Sequence, residues 1–142
     1  MRNFLILEKR LRCRHMEKRL EHKCGIFGVY GKGLDVSRLT YFGLYALQHR
    51  GQESSGIAVS NGKKISVHKK SGLVAQVYTE KDLKKLKGHI SIGHNRYSTS
   101  GGVHDVHIQP VFSGSDTVAL AHNGNLPVVK KLKKDTRMCM KK

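Results

Sequence analysis

A thiol is the most nucleophilic ordinary side chain, and one of the three in this 142-residue chain opens a run of β-branched and aromatic residues, Cys24-Gly25-Ile26-Phe27-Gly28-Val29-Tyr30. Only the thiolate attacks, so a cysteine nucleophile needs a base nearby. If the chain were cut before Cys24, the residue's own α-amine, with a reference pKa of about 7.7–8.0, would be that base. Taken alone, the heptapeptide favours the plainer reading, a small buried cysteine on a strand. Four further segments within one hundred residues read as polar loops at the ends of strands or helices. They are Gln48-His49-Arg50-Gly51-Gln52-Glu53-Ser54-Ser55-Gly56, Gly93-His94-Asn95-Arg96-Tyr97-Ser98-Thr99-Ser100-Gly101-Gly102, Gln109-Pro110 and Ala121-His122-Asn123-Gly124-Asn125-Leu126.

In order and spacing these five segments resemble the glutamine amidotransferase domain of the amidophosphoribosyltransferase family, from Cys24 to about Leu126. The Gln-His-Arg-Gly-Gln-Glu and Arg-Tyr-Ser-Thr forms favour that family over the related glucosamine-phosphate synthases. Any one motif is a weak signal; five in order are a strong one. The resemblance implies a class II amidotransferase that hydrolyses glutamine to glutamate and ammonia through a cysteine thioester. In the family the ammonia supplies 5-phosphoribosylamine formation in de novo purine biosynthesis, a glycosyltransferase reaction on phosphoribosyl pyrophosphate. Carried over position by position, Cys24 is the nucleophile, and the Asn123 side-chain amide and the Gly124 backbone N–H form the oxyanion hole. Arg96 and Thr99 would grip the glutamine α-carboxylate, a task for which a guanidinium fork suits better than an ammonium. The Ser98–Gly102 loop would close over substrate, and Arg50 and Gln52 would brace the loop beside Cys24.

The elements that must position these residues are legible in part. Cys24–Tyr30 reads as a strand and Gly31-Lys32-Gly33 as a turn. Asp35 is an N-cap for a helix from Val36 to about Leu47, with Leu39, Phe42, Tyr45 and Ala46 as its core face. Gly56–Val59 and Lys63–His68 read as strands joined by a hairpin at Asn61-Gly62. Thr79-x-x-Asp82 opens and Gly88 stops a short helix whose lysines Lys81, Lys84, Lys85 and Lys87 face water. His89–Tyr97 and Thr117–Ala121 are the next strands, delivering Arg96 and His122-Asn123-Gly124. Strands in succession with few helices between them point to antiparallel sheets with helices outside, an α+β fold. The resemblance sharpens this to the four-layer αββα sandwich of the N-terminal nucleophile hydrolases, incomplete at the C-terminus.

The net charge of +17 is mostly a property of the ends: residues 1–23 carry +5, residues 128–142 carry +6, and residues 24–127 only +6, while all fifteen glycines lie between Gly25 and Gly124. We therefore expect a basic leader or propeptide-like extension over 1–23, removed to expose Cys24. A partial class II glutamine amidotransferase domain follows over 24–127, then a basic tail over 128–142 of the kind a frameshift leaves. The family's Ser-Asp-x-Glu segment and phosphoribosyltransferase domain have no match here, so a fragment with impaired activity or none is expected. Phosphoribosyl pyrophosphate, Mg2+ and any 4Fe–4S cluster would belong to that absent C-terminal region, leaving glutamine as the ligand of this segment and no cofactor in it. The full-length relative is expected to be a homo-oligomer.

Cys13, Cys24 and Cys139 fit no disulfide framework or zinc spacing, so a reducing, cytoplasmic setting is the default. No apolar stretch is long enough to span a membrane. His104 and His107, with His94 nearby, are the one histidine cluster worth naming; His104 and His107 sit in a glycine-flanked loop without a third ligand at metal spacing, so solvent-exposed histidines are expected there. Two other readings stand beside the enzyme: a small basic nucleic-acid-binding protein, which lacks the interleaved aromatics of a base-stacking surface, and a non-functional fragment that does not fold.

Overall fold

A computed structural model of the chain describes residues 24–97, 108–112 and 118–124. Strands β1 (Gly25–Tyr30), β2 (Ser54–Ser60), β3 (Ile65–Ser71) and β4 (Ile90–Arg96) form one antiparallel sheet in the order β1-β4-β2-β3. Helices α1 (Val36–Ala46), α2 (Val74–Val77) and α3 (Glu80–Lys85) accompany it, and β5 (Val111–Phe112) pairs with β6 (Ala119–Leu120) in a second, two-stranded sheet. The fold is α+β with antiparallel sheets, as expected. The leader, the tail, Thr99, the Ser98–Gly102 loop, His104 and His107 lie outside the described residues.

The local chemistry of the connections is that of the sequence. Asp35 caps α1, accepting from the Arg38 N–H at 3.1 Å, and Thr79 with Asp82 forms a reciprocal cap at the start of α3. The β2–β3 loop is four residues long, the Asn61 carboxamide accepting the N–H groups of Lys63 and Lys64 while Gly62 takes a φ of 88°. The short helix α2 has no counterpart in the sequence reading.

Helix α1 packs on the sheet, but by a face other than the one its apolar periodicity suggests. Val36, Ser37, Thr40 and Leu44 are buried, whereas Phe42 and Tyr45 are 58% and 57% exposed and Leu39 and Ala46 also face outward. Close approach explains the inversion. A Cβ on Gly43 would overlap the Phe27 ring, and one on Gly93 would lie 2.6 Å from Thr40 Cγ2 and 2.7 Å from Leu44 Cδ1. Such a gap admits small side chains and one leucine, with no room for a row of aromatics. The polar groups carried in with the small residues are paired. Thr40 Oγ1 donates to the Val36 carbonyl at 2.8 Å and bonds Ser91 Oγ at 2.7 Å. The fully buried Asn95 donates to the Leu44 carbonyl at 2.7 Å and accepts from Ser55 Oγ at 2.9 Å. Ser55 in turn meets the Tyr78 hydroxyl at 3.0 Å, and burial pushes that phenol well above its ordinary pKa. Around these lies the core of Leu44, Ile57, Val59, Val74, Val77, Leu83 and Leu86.

Because facing residues across an antiparallel sheet share a side, the register assigns Ile26, His94, Gly56 and Lys69 to the face away from α1. Residues 108–110 lie against this face. A Cβ built on Gly56 would run into the carbonyl of Gln109, so only glycine lets that segment sit so close.

Candidate active site

The leading end of β1 and the trailing end of β4 meet at one corner of the sheet, since Gly25 pairs with Asn95 and the next step brings Cys24 beside Arg96 and Tyr97. The Tyr97 N–H points at Cys24 Sγ at 3.5 Å, and the sulfur lies 3.8 Å from the Tyr97 carbonyl oxygen. Cys24 is a half-buried free thiol. Arg50, at the end of the 3₁₀ turn Gln48–Arg50, donates from Nε to the Cys24 carbonyl at 3.4 Å, as expected of a residue bracing this corner. Gln52, given the same role from the sequence, is exposed. Gly51 is needed here because a Cβ would sit 2.7 Å from the backbone of Asn95 and Arg96.

Arg96 is half-buried, its side chain 21% exposed, and its Nε stands 3.5 Å from Oε2 of Glu53, while the Glu53 N–H donates to the Arg96 carbonyl at 3.1 Å. Glu53 thus hydrogen-bonds the backbone of Arg96 and pairs with its guanidinium as an ion pair. The sequence reading gave Glu53 no role, although it closes the Gln-His-Arg-Gly-Gln-Glu motif. Gln48, at the head of that motif, cross-links two loops, accepting from the Val74 N–H at 2.7 Å and donating to the Gly51 carbonyl at 2.5 Å.

Asn123 and Gly124 follow β6 and are exposed, Gly124 with a φ of 157°. The residue before them, His122, donates its N–H to Gln109 Oε1 at 2.7 Å. Beside this turn lies His94, only 1% exposed. Neither of its ring nitrogens has a hydrogen bond among the described residues. Burial lowers its pKa from 6.5 to about 4; the nearby His122 backbone favours the charged form, and the charges of His122 and Arg96 oppose it. His94 is a neutral imidazole at pH 7; the sequence reading places it on the strand His89–Tyr97, where it pairs with Gly56 and Ile26, but does not anticipate its burial. Among the described residues no three His, Cys, Asp or Glu side chains gather as a metal site requires. No helix among them is long and apolar enough to cross a membrane.

No family model matches the chain. Relatives do: the amidophosphoribosyltransferase of Mycobacterium tuberculosis is 54% identical over 107 residues, covering 73% of this chain and 20% of that protein. The amidophosphoribosyltransferase of Bacillus subtilis is 44% identical over 119 residues, 82% of this chain and 25% of that one. The matched stretch is homologous to the N-terminal domain of the amidophosphoribosyltransferases. Their solved structures agree. The glutamine phosphoribosylpyrophosphate amidotransferase of B. subtilis, complexed with ADP and GMP, superposes with a TM-score of 0.64 at 41% identity, over 78% of this chain and 24% of that one. A second structure, described as the allosteric regulatory enzyme of purine biosynthesis, gives 0.68 at 42% identity over 79% and 24%. The fold is therefore of the N-terminal nucleophile hydrolase type that the amidophosphoribosyltransferase domain has. The chain spans about a fifth to a quarter of the length of the curated amidophosphoribosyltransferases it matches.

Proposed function

We propose that this chain is the glutaminase part of an amidophosphoribosyltransferase, with residues 24–127 as the amidotransferase domain and Cys24 as its nucleophile once residues 1–23 are removed. What supports the reading is one juxtaposition, Cys24 beside Arg96 and Tyr97 at a sheet corner, in a stretch about half identical to amidophosphoribosyltransferases.

In the proposed reaction Arg96, steadied by Glu53, holds the glutamine α-carboxylate, together with Thr99, which lies outside the described residues. The Cys24 thiol gives its proton to the α-amine and the thiolate attacks the side-chain carbonyl carbon. The oxygen of the tetrahedral intermediate accepts hydrogen bonds from the Asn123 amide and the Gly124 N–H, donors whose removal typically costs about 10²- to 10³-fold. Collapse breaks the C–N bond, and the amine returns its proton to the departing ammonia. Water then cleaves the thioester, releasing glutamate and restoring the thiol. Ammonia would feed 5-phosphoribosylamine formation in the remainder of the enzyme, where phosphoribosyl pyrophosphate, Mg2+ and any iron–sulfur cluster belong.

The test is ammonia release from L-glutamine by the chain beginning at Cys24, with Cys24→Ser as control. We expect release from the first, at a reduced rate as expected of a fragment, and none above background from the second; equal release from both overturns the reading.

A further inference from the structure

The proposed oxyanion donors sit on an exposed turn, so something must hold that turn in place. We propose that Gln109 is a positioning residue for Asn123 and Gly124, anchored in turn by Lys69; this rests on the glutaminase reading above. The contacts run in an unbroken series. Lys69 Nζ donates to the carbonyls of Ile108 at 2.8 Å and Pro110 at 3.3 Å, straddling Gln109, and lies 5.5 Å from the centroid of the Phe112 ring. Burial lowers the pKa of this ammonium, a cost that both carbonyls and the ring offset. The bare Cα of Gly56 lets the Gln109 carbonyl press onto the sheet. The Gln109 side chain then reaches the turn, where Oε1 accepts the His122 N–H at 2.7 Å.

The neighbouring ladder shows why this bond matters. Strand β5 fixes β6 through the pairs Val111–Leu120 and Phe112–Ala119, and the ladder ends at Leu120. Beyond it each residue has two free backbone torsions. The Gln109 bond fixes the chain again at His122, one residue before Asn123. Without it, the last ladder pair before the two donors, among the described residues, is the one at Leu120. An oxyanion donor must be preorganised within tenths of an ångström, whereas glutamine in the ground state is held by other groups, so loosening the turn should lower kcat and leave KM nearly unchanged.

Three variants of the chain beginning at Cys24 separate the roles. Gln109→Met keeps size and removes the acceptor; Gln109→Glu keeps an acceptor oxygen. We expect Gln109→Met to lower kcat for glutamine hydrolysis about 10- to 100-fold with KM within about twofold, and Gln109→Glu to recover most of the loss. Lys69→Met should share the kcat loss. Alkylation of Cys24 by iodoacetamide, which needs no oxyanion hole, should proceed at the wild-type rate in all three, showing that the nucleophile and its corner are intact. Gln109→Met with wild-type kcat, a loss confined to KM, or Gln109→Glu as slow as Gln109→Met each overturns the role of Gln109 alone. Wild-type turnover by Cys24→Ser, or no turnover by the unaltered chain, refutes the glutaminase reading and this inference with it.

Discussion

Acidification should destabilise this protein through one imidazole, His94, and the size of the effect follows from its surroundings. The ring is 1% exposed, lacks hydrogen bonds to either nitrogen among the described residues, and faces His122 and Arg96 across a corner of the sheet that also includes Ile26 and Gly56. Its pKa falls from 6.5 to about 4 on folding, so between these values the unfolded chain binds a proton that the folded one refuses. Stability is thus greatest above pH 6.5 and falls as pH drops toward 4, below which this group's contribution levels off. Integrating the linkage gives a loss of about 2 kcal/mol between pH 7 and pH 5, and about 3 kcal/mol by pH 4. Leucine has nearly the volume of histidine and no proton to bind. His94→Leu should therefore unfold in urea with a stability within about 1 kcal/mol of wild type at pH 7, and exceed it by a widening margin as the pH falls. Asp35, Glu80 and Asp82, whose pKa values are lowered by Ser37, Arg38 and Thr79 respectively as the leading cause, act equally in both proteins and cancel from the difference. Parallel stability curves from pH 7 to pH 4 would refute the reasoning.

Other substitutions probe the site's supports and its proposed donors. Gly56→Ala forces a methyl against the Gln109 carbonyl and should cost about 1–3 kcal/mol in denaturant unfolding, with the loss of glutaminase rate described for Gln109→Met. Arg96→Lys replaces a bidentate fork with a point charge, and should raise KM for glutamine by roughly tenfold with a smaller change in kcat, read from steady-state ammonia release. Asn123→Ala should do the reverse, lowering kcat by about 10²- to 10³-fold with KM little changed.

Much of the frame was legible in the sequence because the signals are local. Asp35, Thr79 with Asp82, and Asn61-Gly62 perform at their own positions the capping and turning that their side chains favour. The strand opening at Cys24 and the one ending at Arg96 are also where the pattern puts them. What escaped depends on partners distant in the chain. Periodicity finds Leu39, Phe42 and Tyr45 on one face of α1, but Phe27, Ser91 and Gly93 decide that a different face is buried. His94 reads as a strand residue, but its burial depends on Gly56 and on the 108–110 segment, which lies against its side of the sheet. Gln109 stood in a recognised motif, but the role proposed for it required knowing that His122, thirteen residues on, returns to it. At the candidate site, Cys24, Arg96, Asn123 and Gly124 were named from the sequence, while Glu53 was seen only as part of a motif.

The most direct measurement is to treat the chain beginning at Cys24 with 6-diazo-5-oxo-L-norleucine, a reactive glutamine mimic, and locate the adduct by peptide mass spectrometry. The account predicts a single adduct on Cys24, formed at a rate that glutamine suppresses. An adduct elsewhere, or an unmodified Cys24 in a protein that still releases ammonia, would contradict it.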